Sequence, residues 1–165
     1  MTTLAEMAQI QVHPLETPRG ACWTDNKYKA ATLSLASYDE DVAGKLTMVV
    51  EDNMAKNIAE NMLGMAPEEI DHSTMLDVVG EILNMVAGNI KTDLANNGME
   101  SRLTTPEMLE PQQIPEIQQS VHLENPDGLS EEVVLGDSGS KMWFFLLMKN
   151  SSDCENKPPL PMESF

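Results

Sequence analysis

The sequence predicts an α/β (α+β) sandwich in which long helices pack on a mostly antiparallel sheet. Three observations carry that expectation. Two strand-like runs, KAATLSLAS (29–37) and GKLTMVVE (44–51), flank the turn-rich YDEDVA. Two helical periods follow them, and a second strand–turn–strand pattern closes the chain. Strands, then helices, then strands again leave the helices to cover one sheet. The 165 residues, 41% of them hydrophobic, suit one domain with a sizeable core. The expected division is an N-terminal segment over 1–29, a domain over 30–149 and a disordered tail over 150–165.

In chain order, Leu4 to Ile10 has a short helical pattern, broken by Pro14, Pro18 and Gly20. The first two strands follow as an antiparallel pair. Asp52 is a candidate cap for a helix running to about Met62, with Met54, Ile58 and Met62 one turn apart and Gly64 as the stop. Asp71 or Ser73 caps a longer helix that runs to about Asn96, with Gly98 just beyond. Pro106, Pro111 and Pro115 interrupt the next segment. EEVVLGD (131–137) and KMWFFLLMK (141–149) form a closing hairpin, with Trp143, Phe144 and Phe145 on a buried or interface strand. The polar, Pro-rich SSDCENKPPLPMESF reads as tail.

Ten Lys and Arg against 27 Asp and Glu give a net charge of −17. Nucleic acid and anionic membranes are excluded as partners, because both are bound through clustered basic residues. A partner presenting a lysine or a bound cation is the better match. No run approaches the roughly 20 apolar residues of a membrane span. The first residues lack a basic stretch followed by an apolar one, so a cytoplasmic protein is expected. Cys22 and Cys154 form no disulfide framework, and His13, His72 and His122 show no metal-ligand spacing, so no metal of its own is expected. GDSGS (136–140) matches in letters the nucleophile loop of trypsin-like proteases, but it lies where a hairpin turn belongs.

The longer helix has two faces. At about 100° per residue, Val79, Leu83, Val86 and Ile90 cluster on one side, flanked by Met75, Ile82 and Leu94. Asp77, Glu81, Asn84 and Gly88 fall opposite, within a strip roughly 60° wide. Such a strip is usually only a solvated face. Asn and Gly, however, each cost roughly 0.5–1 kcal/mol relative to Ala in a helix, and Gly88 strips the surface bare where a partner backbone could approach. Met85 flanks the strip as an adaptable apolar contact.

DVVGEILNMVAGNIKTDL (77–94) resembles the signature helix of the CheX and CheC chemotaxis phosphatases. That pattern is Asp or Ser, three residues, Glu, two residues, Asn, about twenty-one residues, then Pro. Asp77, Glu81, Asn84 and Pro106 satisfy it. The likeness covers about Ala30 to Lys149, and the single copy of the motif is similar to CheX, whereas CheC-type members typically carry two. Family members open with a long helix of which residues 1–12 can supply only part, so that either the helix is shortened or its place is filled otherwise.

The resemblance implies a CheX-like fold and hydrolysis of the phospho-aspartate of a CheY-like response regulator, in chemotaxis or another two-component pathway. It assigns Asn84 to orienting the attacking water and Glu81 to the regulator's active-site lysine. Asp77 is a lesser contact or orienting group, and Pro106 shapes the neighbouring loop. Mg²⁺ comes with the regulator and not with this chain. The resemblance also implies a homodimer, since CheX relatives join their sheets edge to edge, and KMWFFLLMK would be hazardous if left uncovered. The competing reading is a non-catalytic regulator-binding module of the same fold, as in flagellar switch proteins.

Overall fold

Alternating apolar residues over 28–51 produce the centre of the sheet. Strand β2 (Tyr28–Ser37) and strand β3 (Val42–Glu51) pair antiparallel from Tyr28 opposite Glu51 to Ala36 opposite Ala43. The computed structural model describes residues 13–14, 27–39, 41–110, 113–114, 129–136 and 139–150. Before these strands lies the two-residue strand β1 (His13–Pro14). After them come helix α1 (Asp52–Leu63), a 3₁₀ turn (Pro67–Glu69) and helix α2 (His72–Asn96). The short strands β4 (Ser101–Leu103) and β5 (Glu107–Met108) follow, then β6 (Leu129–Gly136) and β7 (Lys141–Asn150). The sheet order is β1-β6-β7-β3-β2-β4, with β5 also on β2, and every described pairing is antiparallel.

This is the expected sandwich. Period-two alternation sends Ala31, Leu33, Leu46, Met48, Val50, Met142 and Phe144 to the face under the helices. There they meet Met54, Ala55, Ile58 and Ala59 of α1 and Val78, Val79, Ile82 and Leu83 of α2. The intervening positions Ala30, Val49, Val134, Trp143 and Phe145 bury on the other face with Ile114. Tyr28 meets Trp143 edge-on, with ring centroids 5.9 Å apart.

Several expectations need correction. Asp52 is the first residue of α1 and not its cap; Glu51 holds the cap position without a side-chain bond. The Asp52 carboxylate is instead drawn into an ion pair with the buried Lys29. Strand β7 is paired along both edges, by β3 and by β6, so its apolar run gives no reason for dimerisation. The aromatic strand is safe because it lies inside the sheet. Strands β1, β4 and β5 were not expected, being too short for a period to show. Asn150, expected to open the tail, is the last residue of β7 and pairs with Val42. The helical pattern expected at Leu4 to Ile10, the rest of the expected tail, Cys22, Cys154, His122, Pro111 and Pro115 lie outside the described residues. So do 137 and 138 of GDSGS, although the hairpin flanking them closes as expected, with Gly136 opposite Lys141.

Candidate functional site

Helix α2 starts where Asp71 takes the cap position. Its Oδ1 accepts from the Thr74 backbone N–H at 2.8 Å and from the Thr74 hydroxyl at 2.7 Å. These bonds favour the ionised carboxyl and hold its pKa below the ordinary aspartate value. At the far end, Gly98 takes a left-handed φ of +86° just past the last turn. His72 is the first helical residue and is exposed, as is His13 in β1.

Over its first half α2 buries a broad arc: Val78, Val79, Gly80, Ile82, Leu83 and Ala87. The arc is wider than the sequence implies because the helix is covered from three directions. The sheet lies beneath it, α1 on one flank, and β4 and β5 on the other. Val86 and Ile90, expected at the middle of the apolar face, are only half-buried, while Val78, Gly80 and Ala87 go inside. Between the flanks Asp77, Glu81 and Asn84 stay exposed in one line. Gly88 lies a turn beyond, half-buried; a Cβ built there would meet no atom within 4 Å, so the space above it is open. Met85 is half-buried and packs against the helix-side core.

Pro106 reaches this helix from the sheet edge. Leu103 pairs with Leu35 and Glu107 with Thr32. Two residues of β2, Leu33 and Ser34, therefore face three on the returning segment, Thr104, Thr105 and Pro106. That is a bulge, one residue long, on an edge strand, where a residue without an N–H is tolerated. Ser34 satisfies its backbone locally, donating to Thr104 Oγ1 at 2.9 Å and accepting from the Thr104 N–H at 3.0 Å. The bulge brings Pro106 against α2 at Gly80: a Cβ on Gly80 would stand 3.9 Å from the Cβ of Pro106 and 2.7 Å from Cε of Met108. The four motif positions are thus gathered around two turns of one helix.

Gly80 and Met108 are the residues that sequence reasoning missed. A signal for Gly80 existed: a glycine inside a helix otherwise built of good formers costs roughly 1 kcal/mol and calls for a close neighbour. Attention fell on Gly88, whose surroundings are open, whereas the crowded glycine is Gly80. Met108 carried no signal, because nothing local places residue 108 on residue 80.

Chemically, the strip offers a carboxylate and a carboxamide fixed one turn apart on a packed helix. It presents donors and acceptors outward and is convex. Among the described residues no group of three His, Cys, Asp or Glu side chains is placed to hold a metal ion. No described helix is long and apolar enough to cross a membrane.

The sequence model of the family described as Chemotaxis phosphatase CheX matches residues 33–124. The chain belongs to the CheX family. The match spans Asp77, Glu81, Asn84 and Pro106 together. Among solved structures, this CheX-family fold is similar to a chemotaxis protein CheX from Vibrio vulnificus, at TM-score 0.68 and 19% identity, covering 90% of this chain and 93% of that one. It is similar to the CheX–CheY–BeF3–Mg²⁺ complex from Borrelia burgdorferi, at TM-score 0.59 and 16% identity over 90% and 92%. FliY of Thermotoga maritima gives TM-score 0.53 and 23% identity over 88% and 80%. At these identities the likenesses establish the fold. Curated protein sequences give no significant match.

Proposed function

We propose that this CheX-family protein hydrolyses the phospho-aspartate of a CheY-like response regulator, with α2 as the inserted element. The observation that supports this best is the exposed line of Asp77, Glu81 and Asn84 on a helix buried along both flanks. A rigid convex edge of that kind suits entry into a partner's active site. The Borrelia complex, whose CheY carries BeF3 (a stand-in for the phosphoryl group) and Mg²⁺, supports the choice of partner and the source of the cation.

Phosphoryl transfer rewards positioning and charge neutralisation more than covalent chemistry. The regulator's Mg²⁺ supplies neutralisation of the phosphoryl oxygens, so this chain has to place one water. The Asn84 carboxamide bonds that water without adding negative charge beside the phosphate. Water attacks phosphorus, the acyl phosphate P–O bond breaks, and the regulator's aspartate leaves as carboxylate, the proton departing with phosphate. Glu81 pairs with the regulator's lysine and fixes the depth of insertion. Asp77 is a secondary contact, and Gly88 lets the partner backbone approach. Met85, given its packing, supports the helix from below and reaches the partner only at its edge. A cytoplasmic homodimer completes the reading.

The alternative is a regulator-binding module without turnover, and the likeness to FliY gives it its footing. Phosphate release from a panel of phosphorylated regulators separates the two. Accelerated release with at least one regulator is the expected result; binding without acceleration would make the module reading correct.

A further inference from the structure

Met108 occupies a place on α2 that the helix itself leaves bare. Its Cε stands 2.7 Å from where a Gly80 Cβ would lie, nearer than non-bonded carbons pack. On a helix surface the neighbours of residue 80 are Leu76 and Leu83 on the core side and Asp77 and Asn84 on the strip side. The methionine methyl therefore lies on the flank of the strip, beside the turns that carry Asp77 and Asn84. The side chain is held there from β5, whose pairing sets Met108 opposite Ala31.

A residue that only plugged a gap in the helix surface would be buried, as Met48, Met54 and Met142 are. Met108 instead keeps 39% of its surface exposed, among the few large hydrophobic residues to do so in the described part of the chain. Glycine at position 80 also weakens the helix for the sake of a methionine that stays partly exposed.

We infer that Met108 is a binding contact for the regulator, an apolar anchor beside the charged one. This rests on the function proposed above. Its occupant is the rim of the regulator's phospho-aspartate site, because the exposed acids of the neighbouring strip, Asp77 and Glu81, complement the lysine and cation found there. A thioether meets such a rim well, since its flexible, polarisable stem adapts to an uneven surface. Met108 performs no step of the reaction.

Three variants test the assignment: Met108→Ala, Met108→Leu and Gly80→Ala. The last adds a methyl that displaces only the flexible end of Met108 and improves helix propensity, so it moves the contact without weakening the fold. Each is titrated with BeF3-treated regulator, assayed for single-turnover phosphate release, and melted. Met108→Ala should bind about tenfold more weakly, with a saturating rate constant within about twofold of the parent. Met108→Leu should bind as the parent does. Gly80→Ala should bind more weakly while melting no lower. Parent-like binding by both Met108→Ala and Gly80→Ala would overturn the inference. So would a Met108→Ala that loses binding only alongside its melting temperature while Gly80→Ala binds normally. A parent protein that binds no regulator would sink the proposed function and this contact together, an outcome distinct from a competent parent with indifferent variants.

Discussion

Pro106 stands 3.9 Å from where a Gly80 Cβ would lie, so the last residue of the motif sits alongside the helix carrying the other three. The proline lies in the bulge that follows β4, and its missing N–H falls where the strand has left its partner. The glycine is buried at the flank of α2, where an added Cβ would meet only the flexible end of Met108 at 2.7 Å and the Pro106 ring at an ordinary 3.9 Å. The strip of Asp77, Glu81 and Asn84 is thus braced by the sheet through this contact.

If Asn84 aims the water, Asn84→Ala should slow phosphate release by about 10²–10³ while regulator binding stays nearly intact. Glu81→Ala should weaken binding and turnover together, and its effect should shrink as salt rises, because exposed charges are screened. Single-turnover release beside a titration with a phosphoryl-mimic regulator reads both. Full activity in Asn84→Ala ends the water-positioning role.

Gly88 offers a different comparison. Since a Cβ there meets nothing within the molecule, Gly88→Ala should raise helix stability by up to about 1 kcal/mol. If the position is bare for the partner's sake, the same change should weaken regulator binding. A more stable variant with unchanged binding removes Gly88 from the interface.

The cap at Asp71 gives a pH signature. Its folded pKa lies below the ordinary value of 3.8, owing first to the Thr74 backbone bond and then to the Thr74 hydroxyl. A depressed carboxyl stabilises the fold above its unfolded pKa, and that contribution is lost as pH falls through the folded pKa. Asp71→Ala should therefore melt below the parent at pH 6, with the gap closing as the pH drops beneath 3.8. A gap that persists in strong acid would show that ionisation is not what the cap depends on.

Lys29 is only 4% exposed and pairs with Asp52, which is 37% exposed. Removing the acid strands a buried ammonium, so Asp52→Ala should lose up to about 3 kcal/mol by denaturant melts. Replacing both, as Lys29→Met with Asp52→Ala, should recover much of it. A double variant no better than the single one would mean that helix-terminus effects dominate.

The homodimer is a separate expectation, drawn from the family resemblance. Light scattering at tens of micromolar should give twice the chain mass, and a monomer there rules the assembly out.

What the sequence made legible was whatever a local period or spacing encodes. The β2–β3 pair, the stop at Gly64, the extent of α2 and the line of Asp77, Glu81 and Asn84 all follow from residues a few positions apart. The sheet's central position for KMWFFLLMK did not, because strand order depends on partners distant in sequence. Asp52 read as a cap by residue type alone; a lysine 23 positions earlier claims its carboxylate instead. Strands of two or three residues gave no alternation to read. The weight placed on Gly88 over Gly80 has the same origin: a bare helix position looks alike in sequence whether it meets open space or another chain segment.

The distance between Asn84 and Pro106 along the chain acquires a meaning from this path. From Gly80 to Asn96 the helix travels about 24 Å outward. The segment from Gly98 back to Pro106 can cover about 26 Å when extended. Outward and return journeys match, so the interval works as a ruler that sets the proline down where the helix began its exposed strip. One residue more or fewer in that circuit would carry Pro106 past its seat and turn Met108 to the other side of the sheet. The spacing written between the amide and the proline is part of the perimeter of a closed loop.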